Sequence, residues 1–552
     1  MHANQRLVSV FPYLILLIPL ITGMFLDVMD IDSAQYAAIS KEMYETGNYL
    51  QVYDKGKDYL DKPPLLFWVS SLMYSIFGVN HFVFRIIPLM VSFLGVYATH
   101  RFTKLYYDDD SARNASLIFA SCQAFFLMNH DVRTDTMLTG FTISSIWLIS
   151  SYMETQNLRH FILGFICLGF ALLAKGPIGL MVPVLAIGSH LVLKKKWNKL
   201  FDLKYLFGVL IIALMLLPMC IGLYLQFDAH PEKESGLYFY FWKQSFGRLT
   251  GENEWANNPP ITFLAENFLW SFLPWTMIFI PALVQKCRQL LKLSSYPNEE
   301  LITLFGFLLP FIALSTSKYQ LPHYIFILFP LAAVISGVYL EKLNASLKWI
   351  NSFKLVQTVT FVLITIVMLI LGFWSFKGVS SPLLLSIIVM NIAAIYLLIK
   401  GRNVFRAILI PSVLFISGLN LFLNAHFYPE IFKFQSGSVI GKYIKSEKSV
   451  DASKLIVMGK DVGFSSLDFY SGVRAPVVIK EDDILKYLNS TFWLYTNLSG
   501  LGYMNNLDGI RVEKELSTLK FHVSTLNGKF LNPTSRIAAC DSVFLLKISP
   551  VR

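Results

Sequence analysis

The chain has 552 residues, 55% of them hydrophobic and 15% charged, with a formal net charge of +11 and a mean hydropathy of +0.53. Soluble domains carry roughly 25% charged residues, so this composition excludes an ordinary soluble enzyme and places most of the chain in a bilayer. The positive charge does not indicate nucleic acid, because the basic residues sit in short loops between apolar runs, as in Lys194-Lys195-Lys196.

In chain order, the apolar run 8–26 comes first. It is too long for a typical secretory h-region and reads as a retained helix. The stretch Asp27–Pro64 follows, with Asp30 and Asp32 at its start and Asp61-Lys62-Pro63-Pro64 at its end. Between them the spacing predicts an amphipathic helix with Tyr36, Ile39 and Met43 on one face and Lys41, Glu42 and Glu45 turned elsewhere. Leu65–Phe77 is apolar but too short to cross a bilayer, so it is expected to lie in the interface. A spanning helix needs about 20 apolar residues, and by that measure about thirteen spans are predicted, the last at 404–424.

Lys and Arg concentrate in alternate loops, which predicts a cytoplasmic N-terminus and an inner-membrane protein. From His426 onward, lysines, serines and aspartates become regular. Short β-type runs appear at Lys454–Met458, Pro476–Ile479, Phe492–Tyr495 and Val543–Ile548, with helical stretches at Ser436–Lys445 and Glu481–Leu488. The predicted organisation is a membrane domain at 1–425, with outer loops at 27–81 and 227–262, and a periplasmic soluble α/β domain at 426–552.

The five cysteines are scattered and show neither metal spacing nor a disulfide framework. On the predicted topology the outer loops collect Asp30, Asp32 and Lys62, then His130-Asp131-Val132-Arg133-Thr134-Asp135, then Lys175, Arg248, Lys318, His323 and Tyr324. Ionisable groups at membrane depth are expensive and usually functional. Each also has a plainer use. Asp32-Ser33-Ala34-Gln35 fits a helix N-cap with its capping box, and Lys62 can snorkel to headgroups. Arg133 and Asp135 can pair locally, Lys175 can compensate a helix dipole, His323 can be an interfacial histidine, and Arg248 can be a solvated loop charge. Carboxylates beside His130 or His323 leave a divalent cation open, although no ligand spacing requires one. The rival function classes are a transporter or flippase for a lipid or small anion, with Asp32 and Asp135 as coupling carboxylates, and a non-catalytic scaffold. A transporter is expected to place its charges near the midplane and to show paired halves, and no twofold repeat is seen.

The ordered motifs Asp32-x-x-x-Tyr36-Ala37-x-Ile39-Ser40-x-Glu42-Met43, Asp61-Lys62-Pro63-Pro64-Leu65-x-x-Trp68, Leu173-Ala174-Lys175-Gly176-Pro177, Phe241-Trp242 with Arg248, Leu273-Pro274-Trp275 and Ser317-Lys318 with Leu321-Pro322-x-Tyr324 resemble a known family. It is that of membrane glycosyltransferases similar to aminoarabinose (lipid A) transferase, grouped with protein O-mannosyltransferases. One position departs from the pattern: Ser33 follows Asp32 where relatives commonly have a second acidic residue, so either Asp30 substitutes or the protein uses a different acceptor.

The resemblance implies a polytopic α-helical membrane protein of the GT-C fold, with about 13 transmembrane helices and an outer C-terminal α/β domain. It implies transfer of a sugar, with inversion, from a polyprenyl-phosphate donor to a lipid or protein acceptor. Membrane lipids are the remaining partners, nucleic acid is not expected, and a divalent cation stays open. Asp32 matches the family's catalytic aspartate and is the expected general base, with Asp135 as a second catalytic carboxylate that positions the acceptor or orients Lys62. Lys62 and Arg248 are expected on the leaving phosphate, with Lys175, Lys318 and Tyr324 behind them. Asp30, Tyr36 and His323 complete the expected substrate-binding set.

Overall fold

The computed structural model describes the whole chain except residues 1, 245, 246, 248–256, 292–298, 345, 460–464 and 552. Every apolar run read from the sequence is helical. The first helices are α1 (His2–Met24), α2 (Asp32–Thr46), α3 (Leu65–Phe77), α4 (His81–Tyr106), α5 (Asp109–Ser121), α6 (Gln123–His130), α7 (Thr134–Thr155), α8 (Leu158–Lys175) and α9 (Ile178–Leu193). Among the described residues, 7 helices have the length and apolarity to cross a membrane. Shorter apolar helices stand beside them at Val10–Met24, Leu65–Phe77, Ile178–Leu193 and Ile302–Ser315.

Two expected single runs are each broken in two. The run at 112–129 divides at Cys122, whose backbone is extended with ψ 148. The run at 263–285 divides into Phe263–Ser271 and Thr276–Leu291, with Pro274 between them removing a donor from the helical ladder.

Small residues set the closest approaches in the bundle. A Cβ on Gly140 would fall 2.4 Å from the carbonyl oxygen of Val91, so α4 and α7 touch backbone to backbone there. This is the packing expected where lipid supplies no hydrophobic force between helices. Helices Leu347–Ser375 and Ser381–Lys400 have only 22% of their apolar window covered by the rest of the chain. Their bare apolar flanks are what a lipid-facing rim requires.

The C-terminal part forms a sheet of five strands, β3 (Leu455–Met458), β4 (Val477–Val478), β5 (Phe492–Asn497), β6 (Ile510–Lys520) and β7 (Asp541–Pro550), in the order β4-β3-β5-β7-β6. β3 pairs in parallel with β4 and β5, and β7 runs antiparallel to both β5 and β6. One face packs Trp493, Tyr495 and Leu545 against Ile440, Ile444 and Leu467 from helices Ser436–Ser446 and Ser465–Ser471. The other face packs Leu494 and Leu546 against Ile484 and Met504. The mixed sheet with helices fits the predicted α/β character. β6 was not foreseen, because its polar, half-exposed residues lack the apolar run that marked its neighbours.

The segment between α1 and α3 joins the two parts. α2 buries Tyr36, Ile39 and Met43 against the bundle, as expected, but its other face is covered too. Lys41 and Glu42 are buried against the sheet domain, where Lys41 Nζ donates to the carbonyl of Asp468 at 3.1 Å. After α2 comes the hairpin β1 (Tyr53–Asp54) and β2 (Lys57–Asp58). It turns on Lys55 and Gly56, with φ of 56° and 73°, the pair of positive φ values that a tight two-residue hairpin needs. The Glu42 carboxylate accepts both turn amides, at 2.8 and 2.9 Å.

Candidate active site

The site lies at the end of the bundle that carries the sheet domain. Its two critical segments, the loop after α1 and the turn between α6 and α7, are far apart in sequence and are held together by Arg85. That side chain is fully buried in α4. It donates to the carbonyls of Leu26 at 2.7 Å, Asp27 at 2.9 Å, His81 at 3.1 Å and His130 at 3.1 Å. A guanidinium carries five donors in a rigid fork, which suits this collection of carbonyls.

With the backbones so fixed, Asp32 at the first turn of α2 meets Arg133 at the N-terminus of α7. Nη1 of Arg133 donates to Asp32 Oδ2, and Nε donates to Asp131 Oδ2 at 2.9 Å. The guanidinium thus bridges carboxylates from two distant segments. Their negative charge holds its pKa above the usual arginine range against the opposing effect of burial. Arg133 and Asp131 side chains are 16% and 17% exposed, whereas Asp32 is 36% exposed and keeps an open side. Gln35 does not close a capping box with Asp32. Its Nε2 donates to Asp54 Oδ2 at 2.7 Å.

The buried Tyr36 phenol connects this cluster to the next. Burial raises its pKa well above the ordinary value, and the nearby Tyr59, Asp32 and Asp61 raise it further. Asp61 in turn pairs with Lys62 at 2.5 Å. Lys62 lines a small, outward-open pocket with Leu50, Tyr59, Pro63, Met219 and Leu223. The helix Lys204–Leu223 meets the Leu50 backbone closely at Gly222, where a Cβ would fall 2.0 Å from the carbonyl oxygen of Leu50. A cation on an apolar wall is the arrangement that an anionic group with a greasy tail requires.

Asp135 heads a separate buried cluster. Lys175 Nζ donates to its Oδ1 at 2.5 Å, His323 Nε2 stands 3.8 Å from Oδ2, and the Lys175 ammonium lies 4.3 Å from the centroid of the Tyr324 ring. The expected local pair of Arg133 with Asp135 does not form, because the two side chains leave α7 toward different partners. Asp135 lies on Lys175, while Lys62 pairs with Asp61.

One expected member lies elsewhere. The Asp30 carboxylate turns into the sheet domain and accepts from Ser466 Oγ at 2.6 Å, so it does not replace the missing second acidic residue beside Asp32. Lys318 is exposed, and its carbonyl accepts the Asn258 amide at 3.0 Å. Arg248 falls outside the described residues. His130 is buried against the rings of Tyr428 and Phe432, with centroids at 4.0 and 6.0 Å. Among the described residues no group of three or more His, Cys, Asp or Glu is placed to hold a metal ion. The members that sequence reasoning missed are Asp131 and Arg133. Their signal was the run 130–135, polar but for Val132, between two apolar helices.

Residues 61–221 match the family model described as dolichyl-phosphate-mannose-protein mannosyltransferase. An undecaprenyl phosphate-alpha-4-amino-4-deoxy-L-arabinose arabinosyl transferase from Enterobacter sp. is 25% identical over 343 residues, 58% of this chain and 58% of that protein. The protein of the same description from Erwinia tasmaniensis is 27% identical over 316 residues, 55% of this chain and 54% of its own length. The chain therefore spans little more than half the length of these relatives. In structure, ArnT from Cupriavidus metallidurans bound to undecaprenyl phosphate superposes with a TM-score of 0.75 at 17% identity, covering 98% of both chains. An oligosaccharyltransferase from Archaeoglobus fulgidus gives 0.51 at 12% identity, over 88% of this chain and 70% of its own. The chain has the GT-C fold of the aminoarabinose-transferase-like membrane glycosyltransferases.

Proposed function

We propose that this chain moves a pentose or hexose from a polyprenyl-phosphate carrier to a lipid or protein acceptor, with inversion, at the periplasmic face of an inner membrane. The observation that carries the reading is the joint placement of a fixed, half-open carboxylate, Asp32, and a lysine-edged apolar pocket at Lys62, linked through Tyr36 and Asp61. The relatives named for undecaprenyl-phosphate-linked sugar transfer support the same class of donor.

In this mechanism the acceptor hydroxyl donates its proton to the open side of Asp32 as its oxygen attacks the anomeric carbon. The bond from that carbon to the carrier phosphate breaks, and the phosphate leaves with an added negative charge. A cation already in place stabilises that charge more in the transition state than in the ground state. Lys62 holds this position in the proposal, with the carrier tail along Leu50, Pro63, Met219 and Leu223. Lys175, fixed by Asp135 and Tyr324, supplies a second positive centre. Ionisable residues gathered at one end of the bundle support a transferase over a transporter, whose charges belong nearer the midplane.

The test is Asp32→Asn, which keeps the shape and removes the base. General-base loss costs on the order of 10²–10⁴-fold. Cells carrying the variant are expected to accumulate one glycosylated polyprenyl phosphate, whose mass identifies the sugar. Wild-type carrier pools in cells with well-expressed variant protein would reject the mechanism.

A further inference from the structure

We propose that Arg133 is the resident cation of the catalytic centre, a positioning residue that occupies the place between Asp32 and Asp131 that a divalent ion would otherwise take. The inference rests on the transferase reading and goes one step deeper, to what holds the base. Asp32 and Asp131 come from segments 99 residues apart (131 − 32), and one guanidinium donates to both. Two carboxylates brought this close repel each other unless a positive charge lies between them. The protein supplies that charge covalently.

The geometry also explains why the bridge is an arginine. Nε and Nη1 diverge from a rigid plane, so each carboxylate is fixed in direction as well as in charge. A lysine can reach two carboxylates, as Lys286 does with Glu299 and Glu300, but its point charge on a flexible stem does not set their relative direction. Asp131 and Arg133 are largely shielded, at 17% and 16% exposure, while Asp32 at 36% is the one member with an open side. The shielded pair is the mount and the open carboxylate is the working end. The cluster is anchored in turn by the Arg85 bonds to the carbonyls of Asp27 and His130, which lie on the same two segments.

The experiment uses full-length protein in membranes from cells carrying Asp32→Asn, which hold the accumulated donor, and follows loss of the polyprenyl-phosphate sugar by mass spectrometry. Wild-type protein is expected to consume the donor equally with EDTA and with added MgCl₂. Arg133→Ala is expected to lose about 100-fold in rate, the scale of a misplaced catalytic group. Millimolar guanidinium chloride is expected to restore at least about tenfold of that, saturably, whereas NaCl of equal ionic strength restores none. Arg133→Lys is expected to fall between the two. A mainly structural role would produce a loss that guanidinium does not repair, and that result overturns the proposal. So does wild-type turnover that EDTA abolishes and MgCl₂ returns, a result that does not depend on how any variant folds. Full activity in Asp32→Asn would instead remove the transferase reading beneath it.

Discussion

Two aspartates two residues apart, Asp30 and Asp32, have opposite fates. Asp32 is partly open and paired with a cation. Asp30 is buried among neutral donors, and burial raises its pKa from 3.8 to about 7, with the Ser466 hydrogen bonds opposing the rise. Between those two values the folded chain holds a proton that the unfolded chain has released. Stability is therefore expected to fall as pH rises from about 4 to about 7, on the order of 1.4 kcal/mol per pH unit. Asp30→Asn keeps an acceptor for Ser466 without the charge. It is expected to flatten that slope and to melt above the wild type at pH 8, as thermal unfolding in detergent would record. An unchanged slope would place the titration elsewhere. Asp32 also shows how far local sequence carries a reading. Asp-Ser-Ala-Gln is compatible with a capping box worth about 1 kcal/mol, but Gln35 turns to Asp54 and Asp32 takes Arg133 through a charge-assisted bond of the stronger kind.

Among the elements, α4 does the most to shape the site without touching it. Arg85 is a buried cation that donates to a set of backbone carbonyl oxygens. Replacing it with Met is expected to cost about 3–5 kcal/mol, the range for breaking a buried charged network. It should also slow transfer, because the Asp27 and His130 segments lose their common anchor. A melting shift with unchanged turnover would show that the anchor serves stability alone. The sequence announced α4 as a span, but Arg85 within it drew no notice, since nothing local distinguishes a snorkelling arginine from a stapling one. The apolar helices and the core face of α2 were legible because period and length state them directly. The second buried face of α2, with Lys41 and Glu42, was not, because charged residues there read as solvated until a partner surface exists.

Over the whole molecule, the sheet domain is tied to the membrane part along Asp27–Lys55. Lys442 pairs with Asp27 at 2.5 Å, Lys55 with Asp468 at 3.0 Å, and Arg474 with Glu42 at 3.0 Å and Glu45 at 2.8 Å. The Tyr470 hydroxyl accepts the Val28 amide at 2.8 Å, and Gln435 both receives the Asp30 amide and donates to the Val28 carbonyl, each at 2.9 Å. Arg474→Glu places three carboxylates together. It is expected to raise protease sensitivity between the two parts and to lower transfer several-fold, whereas the charge-swapped double variant Glu42→Arg with Arg474→Glu should recover part of both. Rates and cleavage patterns equal to wild type in the single variant would show that these pairs are peripheral. The domain itself was visible in the change of composition after His426. Its attachment was not, because each contact joins residues some 400 positions apart.

The double burial of α2 limits how proteins of this shape exchange parts. A sheet domain borrowed from a relative would arrive with its own counterparts of Ser466, Asp468 and Arg474, cut to fit another helix. Asp32 would then sit at the end of a helix whose outer face no longer matched its cover. A working chimera should need the segment Asp27–Lys55 to travel with the domain, although some 400 positions separate the two in the chain. Inheritance in this protein follows the contact surface, not the order of the chain.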